Sequence, residues 1–99
     1  MLRRVVVTGL GAVSPNGIGQ REFWENTCKG ISGIDRITSF DPVNLACQIA
    51  GEVTNFDPSL YYSSADLKKL PRTVPLAIAA TQEALASAGI DLGSFSEED

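Results

Sequence analysis

The chain opens with an uninterrupted β-branched run. Residues 4–8 hold Val5, Val6 and Val7 side by side, with no polar residue among them. Such a run predicts a strand buried on both faces, the kind found inside α/β layers. Gly9 and Gly11 follow and permit tight backbone packing, and Pro15-Asn16-Gly17 predicts a turn. Residues 20–29 read as a helix, because Phe23, Trp24, Thr27 and Cys28 share one face. Gly30 is placed to end it in a left-handed conformation, and Trp24 is expected in the core.

Residues 31–46 show no periodicity, with turns marked by Ser32-Gly33 and Asp41-Pro42. Residues 48–53 alternate, with Ile49, Gly51 and Val53 on one side and Gln48, Ala50 and Glu52 on the other. That predicts a short, half-exposed strand. Residues 55–64 read as a turn-rich loop. The best-defined element is a helix ending at Ala88, with Thr73 as its cap, Pro75 in its first turn and Gly89 after it. Ala77, Ala80, Ala84 and Ala88 form a stripe of small residues, widened by Val74, Ile78 and Leu85. This face allows a close neighbour. Two strands cannot cover a run such as Val5–Val7 on both edges and both faces. The pattern therefore reads as the opening segment of a larger α/β protein.

Composition narrows the function classes. The 99 residues are 43% hydrophobic and 20% charged, with a net charge of −4. The basic residues are scattered, apart from the pairs Arg3-Arg4 and Lys68-Lys69, which argues against a nucleic-acid partner. No stretch approaches the ~20 apolar residues of a membrane span. Arg3-Arg4 ahead of residues 5–13 is a weak imitation of a signal peptide. Three glycines and Pro15 interrupt or follow that stretch, and no Ala-x-Ala site appears, so a cytoplasmic strand is the better reading. Glu97-Glu98-Asp99 reads as a solvated loop. Cys28 and Cys47 stand apart and the chain has no histidine, so no metal site is expected, and both cysteines read as free buried thiols.

Residues 5–14, Val-Val-Val-Thr-Gly-Leu-Gly-Ala-Val-Ser, invite a dinucleotide-binding reading, in which helix amides hold a pyrophosphate. Ser14 occupies the third glycine position, and Pro15, Asn16 and Gly17 stand where the helix should begin. A Thr-Gly-x-x-x-Gly-x-Gly variant fails too, because seven residues separate Gly9 from Gly17. Asp35, the acid at roughly the right distance, falls in a loop. No cofactor is expected.

Taken in order, these pieces resemble the start of the chain-elongating β-ketoacyl-acyl-carrier-protein synthases. The resemblance rests on Arg4-Val5-Val6-Val7-Thr8-Gly9-Leu10-Gly11, then Ser14-Pro15-x-Gly17 and Trp24. It continues through Gly30-x-Ser32-Gly33-Ile34, Phe40-Asp41 and Ala50-Gly51-Glu52-Val53-x-x-Phe56-Asp57. It closes on Ala77, Ala79-Ala80, Glu83-Ala84-Leu85 and Ala88-Gly89. Pro71, Pro75 and Thr81 depart from the family pattern. The resemblance implies a thiolase fold, layered α/β/α/β/α when complete, of which residues 1–99 would be the N-terminal segment of a ketosynthase domain.

The resemblance also implies decarboxylative Claisen chemistry on acyl and malonyl thioesters held by acyl carrier protein, in a homodimer or heterodimer of ketosynthases. In that chemistry a cysteine thiolate at a helix N-terminus takes the acyl group, and two histidines assist the decarboxylation. None of these residues belongs to the opening quarter of the family. Cys28 falls at the wrong end of its helix and Cys47 precedes a strand, so no catalytic, cofactor-binding or metal residue is expected here. The alternative is a chain-length-factor-like partner that lacks the catalytic cysteine.

Overall fold

The computed structural model describes residues 2–60, 69–91 and 93. Residues 61–64 of the expected loop, and the acidic end, lie outside the described residues. A two-residue hairpin comes first, β1 (Val13–Ser14) against β2 (Gly17–Ile18). Val13 pairs with Ile18 and Ser14 with Gly17, which leaves Pro15-Asn16 as the turn. The Ser14 hydroxyl closes it, donating to the Gly17 carbonyl at 3.0 Å and accepting from the Asn16 amide at 3.2 Å.

Helix α1 (Gln20–Cys28) follows directly. Gly30 ends it at φ 71°, as its position predicts. The Gly30 amide reaches the Thr27 carbonyl at 3.1 Å and the Ile31 amide reaches Asn26 at 2.9 Å. That pair of bonds satisfies the last carbonyls of the helix.

Strands β3 (Ile34–Arg36) and β4 (Ile49–Gly51) pair antiparallel, with Asp35 opposite Ala50. The alternating segment around residue 50 is thus a strand, shorter than its pattern. Its partner lies in the segment read as aperiodic, since three residues are too few to display a period. A short 3-10 turn spans Pro58–Leu60.

Helix α2 (Thr73–Ala88) is the longest element. Thr73 is not its cap. Arg72 holds that position in a helical conformation with no side-chain cap, and the Val74 amide bonds to the Pro71 carbonyl at 3.1 Å. Pro75 sits in the first turn, buried, and Gly89 ends the helix at φ 70°.

Two further expectations are corrected. Residues 4–8 form no strand, and Val5, Val6 and Val7 are 93%, 69% and 78% exposed. A strand is defined by its partners, and among the described residues nothing pairs with this backbone. Trp24 is 64% exposed rather than core, and α1 buries no residue at all.

What holds the segment together is contact between glycine and alanine backbones. Gly9 and Gly11 lie against Ala80, Ala84 and Ala88 of α2. A methyl group on Gly9 would stand 2.6 Å from the Ala88 nitrogen, and one on Gly11 would stand 2.9 Å from the Ala84 nitrogen. Ala79 and Phe56 are the buried hydrophobic residues among those described. Ala77 is exposed and Ala80, Ala84 and Ala88 are half-buried, so the alanine face is only partly covered.

The shape agrees. The radius of gyration is 17.4 Å; a compact domain of this length has about 13 Å.

Gly11→Val is expected to lower stability by about 1–3 kcal/mol or more, because the obstacle is main chain and cannot rotate aside. Urea unfolding followed by circular dichroism measures it.

Candidate functional site

The polar chemistry of the segment gathers where α2 meets the start of α1. Glu83 is the one charged residue of α2. Its carboxylate accepts from the Ala12 amide at 2.8 Å and from the Gln20 amide at 3.1 and 3.0 Å. Gln20 is the first residue of α1, and the N-cap residue Gly19, at φ 96°, has no side chain to offer. Glu83 therefore caps α1 from another helix, placing negative charge at the positive end of the α1 dipole. Gln20 Nε2 adds a bond to the Ser87 hydroxyl at 3.3 Å, one turn along α2.

This geometry answers the dinucleotide reading. The glycines do not lead into a helix N-terminus; they lie flat on α2, and a hairpin intervenes before α1. The anion site at the N-terminus of α1 already holds a carboxylate of the same chain.

A polar cleft of about 490 Å³ opens on the other side of the hairpin, lined by Ser14, Asn16, Glu22, Asn26, Ser32 and Asn55 among others. Asn26 Nδ2 donates to the Asn16 carbonyl at 2.7 Å, and Asn16 Nδ2 donates to the Thr27 hydroxyl at 3.0 Å. These bonds lash the turn to α1. An apolar groove of about 520 Å³ runs between Leu10, Gly11, Ala12, Phe23 and Trp24.

Glu52 makes the second carboxylate clamp. It accepts from the Thr38 amide at 2.8 Å, the Thr38 hydroxyl at 3.0 Å and the Ser39 amide at 3.1 Å. These bonds, led by the Thr38 amide and then Ser39, hold its pKa down to about 2. Asp57 is lowered in the same way, first by the Ser59 hydroxyl and then by the Ser59 amide. Arg72 Nη2 donates to the Val53 carbonyl at 2.6 Å and ties the start of α2 to the segment after β4.

Among the described residues, neither cysteine stands at a helix N-terminus. Cys28 is the last residue of α1, at the end where the dipole disfavours a thiolate, and it is exposed rather than buried. Cys47 is exposed too, its thiol 3.5 Å from the Ile49 carbonyl. Among the described residues no three His, Cys, Asp or Glu side chains form a metal-binding group, and no helix is long and apolar enough to cross a membrane.

The role of Glu83 was not foreseen. The available signal was a lone carboxylate in an otherwise uncharged helix.

Comparison with known proteins matches this arrangement to a layered α/β class. Residues 2–99 match the family described as beta-ketoacyl synthase, N-terminal domain, and the chain belongs to that family. A solved structure, the ishigamide ketosynthase/chain length factor, superposes with a TM-score of 0.82 at 34% identity, over 96% of this chain and 24% of the other. The fold is thus the N-terminal part of a thiolase-like fold.

Among curated relatives, a polyketide beta-ketoacyl synthase 1 from Streptomyces halstedii is 45% identical over 92 residues, covering 92% of this chain and 22% of its own. A 3-oxoacyl-[acyl-carrier-protein] synthase 2 from Staphylococcus aureus (strain COL) is 38% identical over 90 residues, 91% of this chain and 22% of its own. The ketoacyl synthase beta subunit of the tetracenomycin polyketide synthase from Streptomyces glaucescens is 44% identical over 87 residues, 88% of this chain and 21% of its own. The chain spans about a fifth of the length of these relatives.

Glu83→Ala strands the Ala12 and Gln20 amides and is expected to lower stability by about 1–3 kcal/mol, whereas Glu83→Gln, which keeps one acceptor oxygen, loses less. Urea midpoints of both variants test the order. For Glu52 the folded pKa lies below its ordinary value of 4.5. The stability it contributes is therefore complete above that ordinary value and drains away as pH falls toward about 2. Carboxyl-carbon NMR titration should find a Glu52 midpoint near 2, and Thr38→Ala, which removes only the hydroxyl donor, should raise it in part.

Proposed function

We propose that residues 1–99 form the N-terminal segment of a ketosynthase domain and that the complete protein is an acyltransferase of fatty-acid or polyketide assembly. The observation carrying this reading is the ordered match over residues 2–99 together with a shared fold at TM-score 0.82. The reaction is a decarboxylative Claisen condensation. A cysteine thiolate attacks the acyl thioester and displaces the carrier thiol. The malonyl thioester then loses carbon dioxide, and the resulting enolate carbon attacks the acyl-enzyme, releasing the thiolate.

This segment contributes none of the reacting groups, since it holds no histidine and its cysteines are misplaced. Its part is framework: the Gly9–Gly11 run seated on α2, and α1 oriented by Glu83. Acyl carrier protein, a ketosynthase-type dimer and the cytoplasm are the partners and place that go with this reading. A second reading, a chain-length-factor-like subunit without condensing activity, is favoured by the same neighbour's name, which joins a ketosynthase to a chain length factor.

The test is a chimera in which this chain replaces the matching stretch of the Staphylococcus aureus relative. Carbon dioxide release from malonyl-carrier should stay within about tenfold of the parent, a loss of no more than about 1.4 kcal/mol in the transition state. The 99-residue chain alone should release none above background. An inert chimera, or specific release by the lone chain that alkylation of Cys28 or Cys47 abolishes, overturns the reading.

A further inference from the structure

We propose that Asn16-Gly17 is a latent deamidation site, held unreactive by the closed hairpin and converted in chains whose hairpin has opened. Asn16 is the only asparagine of the chain that is followed by glycine. Glycine makes an asparagine labile, because it has no side chain to shield its own amide and its backbone turns freely. The step is intramolecular. The Gly17 nitrogen attacks the Asn16 side-chain carbon, a C–N bond forms, and the Cγ–Nδ2 bond breaks. Ammonia leaves with the proton given up by the Gly17 amide. Water then opens the cyclic imide at either carbonyl, leaving an aspartate or an isoaspartate.

Three observations set the closed hairpin against this step. The first is the pinned amide: Asn16 Nδ2 donates to the Thr27 hydroxyl at 3.0 Å. Its orientation is fixed, since that hydroxyl gives its own proton to the Phe23 carbonyl at 2.7 Å and can only accept from Asn16. The second is the attacking group. Gly17 is buried opposite Ser14, and a methyl group on it would stand 2.6 Å from the Phe23 nitrogen, so its backbone is wedged against α1.

The third is the oxygen. Among the described residues, Asn16 Oδ1 is buried with no hydrogen-bond partner. An orphaned acceptor costs stability in a folded protein, and here it falls on the atom that the reaction would charge. Attack on the side-chain carbon puts negative charge on Oδ1. A buried oxygen that no donor reaches is the reverse of an oxyanion hole, so the tetrahedral intermediate goes unstabilised.

Either product fits the closed hairpin badly. An aspartate loses the Nδ2 donor, Thr27 must release the Phe23 carbonyl to meet the new carboxylate, and Glu22 lines the same cleft. An isoaspartate lengthens the main chain by one atom in a turn already packed on its neighbours. A methyl group on Gly33 would stand 2.9 Å from the Asn16 nitrogen, and one on Gly51 would stand 2.9 Å from Pro15 Cγ.

The test is ageing of the purified protein that carries this segment, at mildly alkaline pH, with the peptide around residue 16 followed by mass spectrometry. Conversion of Asn16 should be about tenfold or more faster in denaturing urea than in native buffer. Thr27→Val removes the acceptor of Nδ2 at an exposed position and keeps the branched shape, so the native rate should rise several-fold. Exchange of the Gly19 amide, bonded across the hairpin to the Ala12 carbonyl at 2.8 Å, should stay slow in that variant and show the hairpin still closed. Asn16→Asp should lower the urea midpoint. Equal rates in urea and native buffer overturn the proposal, as does an unchanged rate for Thr27→Val. An unchanged midpoint for Asn16→Asp overturns the account of the product.

Discussion

The arrangement depends on one close approach, the main chain of Gly9 and Gly11 lying on the alanine face of α2. Neither side tolerates a larger group. The glycines have no Cβ, and the helix presents only methyl groups, so two backbones come within the distance normally reserved for side-chain contacts. The contacts at the start of α1 are placed by it. Ala12 is held one residue beyond Gly11, and its amide meets Glu83. The same carboxylate then receives the first amide of α1, so that the glycine run, the hairpin and both helices converge on one side chain.

This economy explains how a segment with two buried hydrophobic residues among those described can have a defined shape. Hydrophobic burial does little here. Backbone bonds, caps and carboxylate clamps such as Glu52 on Thr38 and Ser39 supply local order. Such local bonds order the backbone but do not assemble a core. The apolar groups that would form one, Val5–Val7, Phe23 and Trp24, all point away from the rest of the segment or stand exposed. The beta-ketoacyl synthase relatives that share this stretch are about five times as long.

The glycine-rich opening shows how one motif can serve two physical ends. A glycine admits a phosphate to the backbone or admits another backbone. Ser14 and Pro15 already argued against the phosphate, and the structure shows the alternative in place. Local signals of this sort were legible: the Pro15-Asn16 turn, the end of α1 at Gly30, the end of α2 at Gly89 and the strand around Ala50. Each depends on a few adjacent residues and on backbone geometry that glycine or proline imposes.

What the chain determined by itself was therefore local and familial: helix extents, turn positions, the small-residue face and the ordered motifs of a ketosynthase opening. Three things only the tertiary structure decided. Glu83 caps a helix 63 positions away in sequence, and no spacing rule spans that distance. β3 exists because β4 lies beside it, not because Ile34–Arg36 carries a pattern of its own. Residues 4–8, the most strand-like run in the sequence, form no strand, because strand propensity describes side chains while a strand is completed by hydrogen bonds to a neighbour that these residues do not meet.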